Sequence, residues 1–305
     1  MAKTRKNKTS FKRFLVKLRQ KAQSWKLPGL EGLSFFDLIK LYAVGIVEGT
    51  FSTRASSIAY SFFVAIFPFL LFMLNLIPFV WFIDDFQLKV MLFIESFLPP
   101  QTSYIGGIFR DIVATPRAGL LSFVFFLSMF LMANGVNAIF TGFEFSYHTY
   151  INRSIIRQYL VALGVSLIIT AMLFVSVILI FYFTYIIEDL KNIGIFSDTI
   201  TWVNIGRYVV FIMMIFNSVC VLYYFGTKEG KESRYFSVGA IFTTLLILLT
   251  SFLFSIYIEN FSQYNELYGS IGALLIFLLY IWLNANILLL GFELNATLYR
   301  LKQKN

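Results

Sequence analysis

The sequence is poor in charge, in cysteine and in histidine. Asp, Glu, Lys and Arg make up only 13% of its 305 residues, about half of the share found in soluble globular proteins. Too little polar surface remains for a chain of this length to face water, and 58% of its residues are hydrophobic. This composition predicts an integral membrane protein and argues against a soluble enzyme.

The scarcity of cysteine and histidine also limits the chemistry. Cys220 is the only cysteine, which excludes an intrachain disulfide. His148 is the only histidine, whereas a catalytic zinc needs several ligands of this kind. A Walker loop, a GxSxG elbow and an HExxH pair are all missing from the sequence. We therefore expect no enzyme activity, no metal site and no cofactor.

Long apolar runs dominate the rest of the chain. Six stretches reach the roughly 20 apolar residues that a helix needs to cross a membrane, and they lack the alternation of a β-barrel. The predicted fold class is all-α: a polytopic membrane bundle of six transmembrane helices with short amphipathic interfacial helices. The predicted spans are Ser56–Ile83, Gly119–Thr141, Gln158–Ile187, Arg207–Gly226, Phe236–Ile258 and Gly269–Leu298.

The basic residues predict the orientation of the chain. If the amino-terminus lies inside, most of the 25 Lys and Arg residues fall in inside segments, as the positive-inside rule requires. Both termini are then cytoplasmic. The predicted organisation is a basic cytoplasmic arm over residues 1–33, a six-helix transmembrane domain over 34–300 and a cytoplasmic tail over 301–305.

The basic arm predicts a partner as well as an orientation. The formal net charge of +9 is concentrated in this arm, which favours membrane lipids with anionic headgroups. Nothing after the arm suggests base recognition, so we expect no nucleic acid. The sequence leaves open whether the chain forms a homo-oligomer. Amphipathic patterns predict interfacial helices at Phe11–Leu18, Ser34–Gly49 and Phe86–Phe97. The alternative for all three is ordinary packing against the helix bundle.

Polar residues in or near the apolar stretches are the candidate functional residues. A charge in lipid needs a partner, so we expect Arg54 and Glu293 to pair, either as a clamp between helices or as a responsive group. Asn134 and Asn137 share one face of the second stretch, and Asn284 lies in the sixth. These asparagines either line a hydrated pathway or join helices by hydrogen bonds. Pro68 predicts a bend or a break in the first helix.

Two parts of the sequence resemble the YihY/BrkB family of bacterial inner-membrane proteins, which carries an old ribonuclease BN label. They are Arg54–Pro68, and Tyr268–Ala273 with Gly291–Ala296. The resemblance implies a six-helix protein of the bacterial cytoplasmic membrane, with export of lipid or lipopolysaccharide suggested for some members. The positions that match the family are Arg54, Tyr60, Pro68, Gly269, Gly272, Glu293 and Asn295.

Three functions are compatible with this sequence. The leading hypothesis is a transporter-like protein that moves or exports a lipid or another amphiphile, because polar residues occur on several spans. The alternative is a scaffold that organises envelope machinery through its basic arm. A membrane-bound hydrolase or nuclease ranks last, since the ligands for metal-assisted hydrolysis are missing.

Overall fold

A computed structural model describes residues 50–76, 118–144, 154–192, 199–226, 235–260 and 264–304. All regular structure in these ranges is helical, which confirms the all-α class for this part of the chain. The predicted interfacial helices and His148 lie outside the described residues. The helices are α1 Thr50–Leu76, α2 Ala118–Glu144, α3 Ile155–Asn192, α4 Thr199–Gly226, α5 Val238–Asn260 and α6 Tyr264–Lys304.

Five of the six helices contain a segment that is long and apolar enough to cross a membrane. The described part of α1 does not meet the same criteria, so its crossing stays a prediction. This establishes a multi-pass architecture and agrees with the apolar stretches of the sequence. The five segments are Ser122–Glu144, Ile155–Ile187, Thr201–Gly226, Val238–Ile258 and Leu274–Lys302.

Two helices are much longer than a membrane crossing requires. The α3 helix has 38 residues and α6 has 41. At 1.5 Å per residue these are rods of about 57 and 62 Å, against a hydrocarbon thickness of about 30 Å. Both helices therefore either tilt strongly or extend beyond the hydrocarbon.

The chain forms two compact units, and three helices contribute to both. The first unit contains the start of α1, the end of α2 from Ile139, the end of α4 from Ile215, and all of α5 and α6. The second unit contains the remainder of α1, α2 and α4 together with α3.

Each unit has its own core. In the first unit the ring of Phe143 stacks on Phe292 with centroids 4.1 Å apart, and Tyr223 meets both rings edge-on. Such ring pairs add stability beyond the area that they bury. The second unit buries smaller side chains, which let helix backbones approach closely. They include Ser128, Ala133, Val136, Ala162, Val165 and Ser166.

The α1 helix has two chemically different faces along its first three turns. Its buried face carries Phe51, Ala55 and Ile58. Its exposed face carries Ser52 and, one and two turns later, Ser56 and Tyr60, as expected when residues four apart share a side. The helix continues through Pro68 without a break, so the break is wrong for this position, and the bend stays a prediction.

Candidate functional site

The candidate site of the first unit begins with Arg54 on α1. Its guanidinium lies 5.7 Å from the centre of the Phe51 ring, a cation–π distance. Its Nη1 also donates a long hydrogen bond of 3.4 Å to the carbonyl oxygen of Gly142. Gly142 belongs to the last turn of α2, whose final carbonyls have no partner within the helix and attract cations.

The second charged residue of the site is Glu293 on α6. Only 6% of its surface is exposed, and a carboxylate that deeply buried needs compensation. The negative charge of Glu293 interacts electrostatically with Arg54, which precedes the first predicted span. Burial lowers the pKa of Arg54 and the charge of Glu293 raises it. Arginine keeps its charge in proteins, so Arg54 supplies that compensation.

Asn295, one half-turn after Glu293, connects α6 to the first turn of α5. Its Oδ1 accepts a hydrogen bond of 2.7 Å from the backbone N–H of Gly239. Its Nδ2 donates one of 2.8 Å to Oγ of Ser237. Ser237 precedes the helix and accepts from the N–H of Ala240, so it is the N-cap of α5. Two of the amides that begin α5 are therefore capped, one of them by a residue of another helix.

Tyr223 on α4 forms the next layer of the site. Its hydroxyl lies 2.6 Å from Oγ1 of Thr243 on α5 and donates a hydrogen bond of 2.8 Å to the carbonyl oxygen of Leu288 on α6. All these groups are buried, and a buried hydroxyl is costly unless it is paired. One side chain thus connects three helices.

Two glycines allow α5 and α6 to cross at close range. A Cβ atom on Gly239 would collide with the backbone oxygen of Gly291, and one on Gly291 would collide with Oγ1 of Thr243. Gly291 and Asn295 face Gly239 and Thr243, so each helix presents a glycine and, one turn on, a polar residue. The close crossing of α5 and α6 requires glycine at both contact positions. Hydrogen bonds on either side of these glycines stabilise it. We call these residues, with Arg54, Glu293, Ser237 and Tyr223, the α6 cluster.

The remaining predicted site residues take separate positions. Asn137 on α2 accepts a hydrogen bond of 3.2 Å from Nε2 of Gln158 on α3, which favours its role as an interhelical contact. Asn284 donates to the carbonyl oxygen of Tyr280 on its own helix, and its buried Oδ1 has no hydrogen-bond partner. Asn134 and Tyr60 are exposed, and Pro68 is half-buried within α1.

Sequence reasoning missed Ser237, Gly239, Thr243 and Tyr223. A serine directly before an apolar helix is an N-cap signal, and a glycine in an apolar span is a signal of close packing. Both could have been noticed. The contact of Tyr223 with a backbone carbonyl of α6 has no counterpart in the sequence pattern. Among the described residues, no group of three or more His, Cys, Asp or Glu side chains could hold a metal ion.

Comparison with known proteins places the chain in a family. Residues 45–305 match the family described as Virulence factor BrkB, and this range contains the complete α6 cluster. The chain belongs to the BrkB family. It is thus a multi-pass membrane protein of that family.

Several curated relatives of this BrkB-family chain cover most of its length. It is 28% identical over 256 residues to the putative ribonuclease-like protein YfkH of Bacillus subtilis, covering 82% of this chain and 91% of the relative. It is 23% identical over 265 residues to a UPF0761 membrane protein of Coxiella burnetii, covering 85% and 91%. A UPF0761 membrane protein of Psychrobacter is 24% identical over 271 residues, covering 87% and 49%. No solved structure matches the chain.

Proposed function

We propose that this BrkB-family chain is a transporter-like protein of the bacterial cytoplasmic membrane that moves or exposes a lipid or another amphiphile. The observation that carries the proposal is the exposed face of α1. Along this face the chemistry changes from hydroxyl groups to phenyl rings, which matches the two ends of an amphiphile.

The hydroxyl part covers the first turns of α1. Ser52, Ser56 and Tyr60 are exposed on it, and the side chain of Tyr60 is 69% exposed. Serine and tyrosine hydroxyls both donate and accept hydrogen bonds. They can therefore exchange partners with water and with the ester and phosphate oxygens of a lipid headgroup, without burying a charge.

The phenyl part follows directly along the helix. Phe63 and Phe67 lie about one and two turns beyond Tyr60, with their ring centroids 5.3 Å apart in an edge-to-face arrangement. Phe67 is 49% exposed. An acyl chain can lie against these rings while its headgroup stays near the hydroxyls. Arg54 lies between Ser52 and Ser56 in α1, so it adds a positive charge at the hydroxyl end for an anionic headgroup.

The proposal includes the placement of α1 in the membrane. Its 27 residues give a rod of about 40 Å, longer than the hydrocarbon thickness. With Ser56 near the inner boundary, α1 is a sixth span and both termini are cytoplasmic. The excess of Lys and Arg in the segments assigned to the inside supports this orientation.

Reconstitution in liposomes that contain fluorescent lipids tests the proposal. We expect the protein to accelerate the appearance of labelled lipid in the opposite leaflet, and Tyr60→Phe to slow it by removing the last hydroxyl of the face. Tyr208→Phe is the matched control, since Tyr208 is a 68% exposed tyrosine on α4. Lipid movement no faster than in empty vesicles, across several lipid classes, would refute the proposal.

A further inference from the structure

One outward stripe of α2 combines three exposed phenylalanines with an amide. Phe123, Phe126 and Phe130 are 68%, 71% and 59% exposed. Asn134, one turn after Phe130, is exposed on the same side of the helix. Residues three or four apart lie above one another on a helix. The four side chains therefore form one continuous ridge, which we call the α2 ridge.

The position of Asn134 makes its exposure unusual. The membrane-crossing segment of α2 runs from Ser122 to Glu144, and Asn134 lies near its middle. A carboxamide at that depth faces acyl chains, which can neither donate nor accept a hydrogen bond. Such a group is stable only where another polar group reaches it.

The neighbouring helices of the second unit meet α2 beside this ridge. Tyr159 of α3 donates a hydrogen bond to the carbonyl oxygen of Phe130, and its ring lies 6.1 Å from the ring of Phe130. Asn137 points to Gln158 of α3, which donates its hydrogen bond. Gly135 faces α1, where a Cβ atom in its place would lie 3.3 Å from the ring of Phe62. Asn134 is left on the outward side with the phenylalanines.

We propose that the α2 ridge is the contact surface between two copies of this chain, with the two Asn134 side chains hydrogen-bonded at its centre. A carboxamide offers both a donor and an acceptor, so it is complementary to its own copy across a two-fold axis. Contacts of this self-complementary kind are the usual ones in homodimers. Asparagine amides also bond membrane helices to one another.

The phenylalanines favour a second chain over a water-filled path at this surface. A hydrated path needs polar groups along its length, whereas the three turns before Asn134 present phenyl rings and the half-exposed Leu127 on this side. These rings can pack against their counterparts on the second copy. The inference does not depend on transport, because it concerns a side of the protein other than the exposed face of α1.

Disulfide crosslinking in native membranes tests the contact. Cys220 is buried and is the only cysteine, so Cys220→Ala gives a cysteine-free background. Asn134→Cys should form a crosslinked dimer on mild oxidation, because a disulfide needs Cα atoms within about 7 Å. Leu249→Cys is the matched control, at the middle of the α5 segment and 52% exposed. Crosslinking of Asn134→Cys at or below the control would overturn the proposal.

A second measurement leaves Cys220 unchanged, carries its label on a fused fluorescent tag and does not rely on the crosslink. Labelled protein diluted in lipid vesicles should show two-step photobleaching, and Asn134→Val should weaken dimerisation roughly 3- to 20-fold, the range for one interhelical hydrogen bond. Asn134→Gln keeps the carboxamide and should keep the dimer. A wild-type protein that is monomeric at every dilution would overturn the proposal. So would Asn134→Cys that stays monomeric and reacts rapidly with a charged, water-soluble thiol reagent, which would show a hydrated path.

Discussion

Asn295 illustrates how one polar residue can serve two helices in an apolar environment. Its oxygen caps the N–H of Gly239 and its nitrogen bonds to the cap residue Ser237. Aspartate would lose the donor and bury a charge, and alanine would lose both contacts. The side chain of Asn295 thus has a structural use that can be measured.

We predict that Asn295→Ala lowers the free energy of unfolding by about 1–2 kcal/mol, the combined effect of a lost cap and a lost interhelical hydrogen bond. Denaturant unfolding in detergent micelles would measure it. Asn286→Ala is the control, because Asn286 bonds only to the carbonyl oxygen of Trp282 on its own helix. Equal losses in the two variants would contradict the assigned contacts.

Among the glycines whose surroundings the structure describes, Gly291 leaves the least room for a side chain. We predict that Gly291→Ala reduces the yield of folded protein severely, because the added methyl group collides with Thr243 and lies against Tyr223. Gly164→Ala on α3 should be neutral or stabilising by up to about 1 kcal/mol, since alanine is the better helix former and nothing lies within 4 Å of the added atom. Folded yield by size-exclusion chromatography compares the two.

The pairing of Arg54 with Glu293 predicts coupled effects. Glu293→Ala removes the carboxylate and leaves the half-buried guanidinium uncompensated, whereas Glu293→Gln keeps the shape of the side chain. We predict that either change combined with Arg54→Ala costs less folded yield than the sum of the single changes. Strict additivity would show that the two charges do not act on each other.

For single residues, the sequence can predict contacts between side chains of opposite charge. It cannot predict contacts between a side chain and a backbone carbonyl. Charge is costly in lipid, so the sequence predicts that Arg54 pairs with Glu293, and the charge of Glu293 does act on Arg54. The direct pairing stays a prediction. The contact of Arg54 with Gly142 and that of Tyr223 with Leu288 involve carbonyl oxygens. Every residue has a carbonyl oxygen, so no side-chain pattern marks these acceptors.

The α1 helix contains a proline, Pro68, in its interior and yet is continuous from Thr50 to Leu76. Pro68 lacks the N–H that would bond to the carbonyl oxygen one turn before it, at Val64. We predict that Pro68→Ala raises the free energy of unfolding by about 1 kcal/mol, because the missing bond can form and alanine favours a helix. Denaturant unfolding in micelles checks this. A loss of stability would mean that neighbouring groups depend on the unpaired carbonyl.

The sequence predicts the existence of the helices better than their ends. Hydropathy marks the part of a helix that meets hydrocarbon, so the sixth span is expected over Gly269–Leu298, whereas α6 extends over Tyr264–Lys304. Its last turns are polar but keep the helical hydrogen bonds. At the start of α5 the apolar run and the helix nearly coincide, so the span predicted from Phe236 begins within two residues of Val238.

At the scale of the whole molecule, deletion of the basic arm distinguishes the transport hypothesis from the scaffold hypothesis. We predict that a chain lacking residues 1–26 keeps the lipid transfer rate of the full chain in liposomes, because the α6 cluster and the exposed face of α1 lie entirely outside the deleted segment. It should bind anionic vesicles more weakly. Loss of lipid transfer with intact folding would contradict this assignment.

The overall class follows from composition, but the division into two units does not. Three helices contribute to both units, and no change in composition marks the points at Ser57, Ala138 and Met214. These points depend on which side chains meet across helices far apart in sequence. The environments of the asparagines could not be predicted from the sequence either. Asn134 and Asn137 are three residues apart, yet Asn134 is exposed and Asn137 bonds to Gln158 of α3.

The crossing of α5 and α6 has one further consequence. It is fastened by serine, threonine, asparagine, tyrosine and backbone amides, none of which changes protonation between about pH 5 and 8. Acidification or added salt leaves these bonds intact. We therefore expect these bonds to keep their geometry in a de-energised membrane as in an energised one, so a response to a proton gradient would have to begin at other groups.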